Sequence, residues 1–209
     1  MKDPKKIITF FIILIAISGT IYMLTNAKAF GVTGESSNDK LEKQLYTSIL
    51  AIQNVTMENA YLLNNRKFWP GVPVKTVSGD SVNIAKDLGG KRVMVMQFAD
   101  QNCSVCVDSA IYHFKKFAAE IGEDNVALVD FTDDLRVYAQ FIRVQQLKFG
   151  HYYATTSHVK DSLYRVMPNF PIFYMLDSDA RMTDVFFPVK EFTDRTEAYL
   201  HAMRQKYYQ

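Results

Sequence analysis

The chain has 209 residues, 48% hydrophobic and 22% charged, with 9 Gly and 6 Pro, a balance that excludes disorder, a collagen-like repeat and a whole-chain coiled coil. Lys plus Arg number 24 against 22 Asp plus Glu, a net charge of +2 spread along the sequence, so no basic face for nucleic acid stands out. Once an apolar N-terminal run is set aside, about 185 residues remain, the size of one domain.

Met1 to Lys6 carries Lys2, Lys5 and Lys6 against Asp3, and Ile7 to Leu24 follows as 18 residues without a charge. As a helix this run spans roughly 27 Å, close to the thickness of a bilayer core. The basic N-terminus orients it with the start of the chain in the cytoplasm and the remainder outside. The expectation is a single-pass protein of the inner (cytoplasmic) membrane whose domain faces the periplasm or outside. Ala27-Lys28-Ala29 also fits a signal-peptide cleavage site, so secretion to the periplasm after cleavage at Ala29 is the alternative. The chain divides into an anchor or signal peptide over 1–29, a polar linker over 30–38 and a domain with an N-terminal helical extension over 39–209.

From Asp39 to about Asn64, Leu41, Leu45, Ile49, Ile52 and Leu63 recur near helical spacing, which predicts a helix with a break near Asn54, ended by Pro70-Gly71. Val72, Val74 and Val77, then Ser78-Gly79-Asp80-Ser81, then Val82 and Ile84 predict a β-hairpin turning at the glycine. Val93, Val95, Phe98 and the intervening Met94 and Met96 form an almost unbroken apolar strand, buried on both faces of a sheet. Val107, Ala110, Ile111, Phe114, Phe117, Ala118 and Ile121 then fall on one helical stripe that Gly122 terminates.

A second buried strand over Asn125 to Phe131 and a second helix over Asp133 to about Phe149, with Leu135 and Tyr138 facing in, complete a β-α-β-α pattern. Gly150 to Ser157 reads as an aromatic loop and Ser157 to Val166 as a short helix. Pro168-Asn169-Phe170-Pro171 breaks the chain before a strand over Ile172 to Leu176. A turn at Asp177-Ser178-Asp179-Ala180, a returning strand over Met182 to Phe187 and a last helix capped by Thr193 follow. This order predicts a parallel pair joined by a helical crossover, with an antiparallel hairpin in the same sheet.

The two cysteines are Cys103 and Cys106, as Cys-Ser-Val-Cys. Random placement gives two cysteines this spacing roughly once in a hundred chains, so the spacing itself is a signal. The pair falls where a buried strand ends and an amphipathic helix begins. Cys103 there adjoins unpaired backbone N–H groups and the positive end of the helix, both of which favour a thiolate. A thiolate at Cys103 can attack a disulfide, and Cys106, one turn on, can resolve the mixed disulfide.

The strand, the loop, Cys103-Ser-Val-Cys106 at a helix start and the later Phe170-Pro171 before a strand resemble the thioredoxin fold. With the N-terminal hairpin and apolar segment, the chain is most similar to membrane-anchored TlpA/ResA-type thiol:disulfide oxidoreductases. The resemblance covers about Val72 to Tyr208. It implies an α/β thioredoxin-like fold: a mixed central sheet flanked by helices, with an N-terminal β-hairpin extension and a transmembrane helix. It implies catalytic Cys103 and Cys106, and a cis-proline at Pro171 with Phe170 before it, whose backbone pairs with an extended substrate segment. Pro168 is the other candidate for that proline. The partners implied are a disulfide-containing protein substrate and a membrane electron-donor protein.

Four residues depart from the family pattern. Asn102 stands where a Trp is common, Ser104-Val105 separates the cysteines, and Gln97 replaces a buried acid that accepts a proton from the resolving thiol. An amide cannot take that proton, which passes the role to water, Asp100 or Glu120. No cofactor signature is present and no metal site is expected. Beside a redox pair stand two other readings, a binding adaptor with a structural disulfide and a copper-handling protein. His113 reads as a surface histidine.

Overall fold

The computed structural model describes residues 37–67, 74–87, 90–100, 102–155 and 170–209. The apolar run 7–24, the cleavage pattern at 27–29, Trp69-Pro70-Gly71, His158 with its helix, and Pro168 lie outside these residues. No helix among the described residues is long and apolar enough to cross a membrane. The chain forms two compact units, Met1–Ile52 and Gln53–Gln209.

Helix α1, Ser37–Leu63, is continuous over 27 residues. It begins inside the expected linker and is unbroken at Asn54, since one asparagine costs a helix only a fraction of a kcal/mol. In the first unit Leu41, Leu45 and Tyr46 are exposed. In the second, α1 closes on Asn65 in the left-handed region at φ 64°.

The second unit is built on a seven-stranded sheet in the order β2-β1-β5-β4-β3-β6-β7. Strands β1, Val74–Lys75, and β2, Ser81–Val82, pair antiparallel across a turn in which Gly79 takes φ +91°, a conformation open to glycine without steric cost. A short helix α2, Ile84–Asp87, leads to β3, Val93–Ala99, every residue of which is buried. After β3 come α3, Ser104–Ile121, and β4, Val126–Phe131. Then follow α4, Leu135–Gln145, and β5, Gly150–Ala154. The antiparallel pair β6, Ile172–Leu176, and β7, Met182–Phe186, precedes the last helix α5, Thr193–Tyr207.

Strands β3, β4 and β5 are parallel, and β6 pairs antiparallel with β3. This mixed sheet with helices on its faces is the thioredoxin-like α/β architecture. Strand β5 corrects the loop expected over 150–157. Gly-His-Tyr-Tyr-Ala lacks the β-branched residues that mark strands, and its state comes from pairing with β4 from Ala127↔Gly150 to Phe131↔Ala154. Two further corrections concern helices. Leu135 is exposed, because α4 is capped by Asp134, which accepts from the amides of Arg136 and Val137, and this fixes the helix rotation with Tyr138 inward. Thr193 is the first residue of α5 and not its cap, a place held by Phe192.

Alternation along β3 feeds two cores. Val93, Val95 and Ala99 pack with Val129, Phe131, Ile172, Tyr174 and Leu63 on one face. Met94, Met96 and Phe98 pack with Leu128, Phe173, Met175 and the apolar stripe of α3 on the other. Phe114 is fully buried and meets Phe149 edge-on at 5.5 Å and Phe173 at 5.4 Å. This is the contact that seats α3, and with it the cysteines, on the sheet. Phe114→Ala should therefore lower unfolding free energy by ~3–5 kcal/mol, read as a shift of the urea midpoint, whereas a change below ~1 kcal/mol would contradict this packing.

Candidate active site

Strand β3 delivers its C-terminal end to a tight strand-to-helix turn. Asn102 closes that turn from both sides: its amide donates to the Ala99 carbonyl at 2.8 Å, and its side-chain oxygen accepts from the Ala99 amide at 2.8 Å. The residue standing where the family resemblance expects Trp thus shapes the loop that presents the cysteines. Cys103 is exposed and occupies the N-cap of α3, while Cys106, in the first turn, is buried, and both thiols are free. The Cys103 carbonyl accepts from the amides of Cys106 at 2.9 Å and Val107 at 3.0 Å, which locks the pair at one helical turn.

The two sulfurs differ in electrostatics. The Cys103 thiol is held below the ordinary cysteine value, chiefly by the hydrogen bond from the Cys106 thiol, then by the Cys106 amide, the charge of Lys190 and the Val105 amide. In the resting dithiol the sulfur makes no cap hydrogen bond of normal geometry, so the amides act on the charge once it forms. The Cys106 thiol is pushed up to about 12, first by burial and then by its hydrogen bond to Cys103 and by the charge there. One exposed sulfur that ionises readily lies beside a buried one that holds its proton, the arrangement of a nucleophile and a resolving thiol.

Phe170 and Pro171 reach the same end of the sheet. Strand β6 begins at Ile172 opposite Gln97, so the two residues before it lie alongside the last residues of β3, just ahead of the cysteine turn. Pro171 is buried and Phe170 half-buried. The Phe170–Pro171 peptide is trans, against the cis form that the resemblance implies. Trans is the ordinary state of such a bond, favoured by ~0.5–1 kcal/mol.

The auxiliary residues separate by role. Gln97 is buried and accepts from the Tyr174 hydroxyl at 3.1 Å across β3 and β6, on the opposite sheet face from α3. Asp100 is exposed and accepts from Thr132 Oγ1 at 2.8 Å, tying the cysteine loop to the end of β4. Glu120 pairs with Arg204 at 3.0 Å near the far end of α3, roughly 21 Å along the helix from Cys106, and is excluded as its proton acceptor. His113 corrects the expectation of a surface histidine. It is buried between α3 and α5, 3.6 Å from Glu197, because α5 covers that face of α3.

Sequence reasoning missed two residues. Lys190, in the turn Lys190–Phe192 that packs against α3, lowers both thiols, while the neighbouring Glu191 opposes it at Cys106. No sequence pattern announces this approach between residues 84 positions apart, Cys106 and Lys190. Asp130 lies on β4 in register with Phe98 and Tyr153. It is buried, and burial together with the charge of Asp100 pushes its carboxyl up to about 8. Its Oδ1 and the Tyr138 hydroxyl are buried with no hydrogen-bond partner among the described residues. The signal was present: an acid within a strand otherwise wholly apolar.

Asp130 makes stability depend on pH. The unfolded carboxyl ionises near pH 4 and the folded one near 8, so the unfolded state holds fewer protons between these values. Stability is greatest below the lower value and declines as pH rises through the upper. Asp130→Asn should flatten that decline and stabilise the protein by about 2–4 kcal/mol at pH 8.5 relative to pH 4, measured by chemical denaturation across pH. An unchanged pH profile would contradict the assignment.

No protein-family model matches the chain, and no curated protein sequence matches it. Solved structures similar to it include a thiol:disulfide interchange protein from Bacteroides sp., 18% identical with a TM-score of 0.48 over 66% of this chain and 90% of that one. Another is the thioredoxin domain of a thiol-disulfide oxidoreductase from Bacteroides vulgatus, 17% identical with a TM-score of 0.49 over 66% and 97%. StoA from Bacillus subtilis is 14% identical with a TM-score of 0.43 over 66% and 98%.

Proposed function

We propose that the protein is an extracytoplasmic thiol:disulfide oxidoreductase that reduces protein disulfides. The observation that carries this reading is the asymmetry of the cysteine pair: an exposed Cys103 with a lowered pKa beside a buried Cys106 with a raised one. The Cys103 thiolate attacks one sulfur of a substrate disulfide, forming a mixed disulfide and releasing a substrate thiolate, which takes a proton from water. Cys106 then loses its proton to solvent and attacks Cys103 Sγ. The Cys103–Cys106 bond forms, the mixed disulfide breaks, and the second substrate thiolate departs. Two electrons have passed from the dithiol to the substrate.

Formation of the mixed disulfide lowers the cost of ionising Cys106. Cys103 then carries no negative charge, and one of the influences that hold the Cys106 proton is gone. Lys190 supplies positive charge on that side throughout. The backbone at Phe170–Pro171, just before β6 and beside the end of β3, offers an edge on which an extended substrate segment aligns.

The reductive direction rests on the resemblance to TlpA/ResA-type proteins. A second protein, a dithiol donor in the membrane, then re-reduces the pair, since the chain has no further cysteine. The charge-free run Ile7–Leu24 behind Lys2, Lys5 and Lys6 supports a tether in the cytoplasmic membrane with the domain outside.

Cys103→Ser should bring dithiothreitol-driven insulin reduction down to the uncatalysed rate. Cys106→Ser should still attack and should accumulate a mixed disulfide with insulin, visible by mass spectrometry without reductant. Equal rates for wild type and Cys103→Ser would leave a binding adaptor as the function.

A further inference from the structure

A cavity of about 200 Å³ opens at the active-site end of the second unit, walled by Met57 and Ala60 of α1, Val185 and Phe187 at the end of β7, and Phe192 and Arg195. A cavity of roughly 150 Å³ suffices for a benzene ring, so one large apolar side chain fits. Its position follows from the strand pairings. Strand β7 runs beside β6 with Phe186 opposite Phe173, so the chain leaving β7 emerges at the end where Phe170 and Pro171 lie. Phe170, Ala60 and Val185 pack against one core with Phe187. The turn from Lys190 to Phe192, next to the cavity wall, packs against α3, whose first turn bears the cysteines.

Among the described residues, Arg195 is the single charged side chain on this wall. Its guanidinium lies 5.1 Å from the Phe192 ring centre. With the Gln53 amide turned so that its carbonyl faces the arginine, it also donates to Gln53 at 3.0 and 3.3 Å. Among the described residues no carboxylate pairs with it. A guanidinium held over an aromatic ring, with no carboxylate partner among the described residues, beside an apolar cavity complements an apolar group followed by a carboxylate.

We propose that this cavity is a substrate side-chain subsite of the cysteine pair, and that it selects disulfide-bearing segments in which a large apolar residue stands next to Asp or Glu. The inference rests on the thiol–disulfide reading above and adds the class of substrate. The apolar side chain enters between α1 and β7 while the neighbouring carboxylate meets Arg195, with the segment's disulfide then lying toward Cys103. Helix α1 supplies one wall, so the preference depends on the helical extension that precedes the sheet.

The test uses the full-length reduced protein and three cyclic disulfide peptides that differ only in two residues after the second cysteine: Leu-Glu, Ser-Glu and Leu-Lys. Second-order rate constants for disulfide reduction should favour Leu-Glu over Ser-Glu by about tenfold, the scale on which an apolar pocket discriminates. They should favour Leu-Glu over Leu-Lys severalfold. Arg195→Glu, at an exposed position, should reverse the preference between Leu-Glu and Leu-Lys, and Met57→Glu should cut the preference for Leu-Glu over Ser-Glu at least in half. Equal rates for the three peptides, with a small aromatic disulfide still reduced by the wild type, would overturn the subsite alone. Failure to reduce even the small disulfide would overturn the thiol chemistry beneath it.

Discussion

The electrostatic coupling between the Cys103 and Cys106 sulfurs, held one helical turn apart, is the interaction on which the functional account depends. It lowers one thiol and raises the other, so a single contact divides two chemically identical side chains into an attacking and a waiting one. Burial is the largest influence on the raised Cys106 thiol. Cys106 faces the core beside Val107 and Ala110, while Cys103 sits outside the first helical turn. Were both sulfurs equally exposed, their values would converge, and neither order of attack would be set.

The scaffold's contribution is to hold that turn still. Strand β3 is buried along its whole length, and α3 is anchored by Phe114 against β6. The loop between them is closed by Asn102 on Ala99 and tied through Asp100 to Thr132. Three separate stretches converge on the same end of the sheet: the cysteine turn, the step at Phe170–Pro171, and the turn containing Lys190. They arrive there because β3 runs parallel to β4, antiparallel to β6, and β6 antiparallel to β7. Long-range pairing brings Lys190 to thiols far away in sequence, where it adds positive charge that the local sequence lacks.

Much of this is legible in the sequence alone. The apolar run at Val93 and the stripe on α3 stopped by Gly122 are local patterns with local causes, and the strand and helix they predict are the ones that carry the cysteine turn. What was illegible depended on partners. Strand β5 exists because β4 offers an open edge, not because of its own residues. His113 is buried by a helix 80 positions later. Asp130 could be read as an acid in an apolar strand, but its raised carboxyl depends on burial in the folded sheet and then on the charge of Asp100. Expectations fared unevenly: the mixed sheet with an antiparallel β6–β7 hairpin is present, whereas β5 adds a third parallel strand, the Phe170–Pro171 bond is trans, and Asn102, already a departure in the sequence, has a structural task in the turn.

The most direct test of the account is the pH dependence of alkylation in the fully reduced protein, with iodoacetamide as reagent and mass spectrometry to assign the modified residue. The account predicts that Cys103 alone reacts, with a half-maximal rate at a pH below the ~8.5 of free cysteine, while Cys106 stays unmodified. A midpoint at or above that of free cysteine, or equal labelling of the two residues, would contradict it.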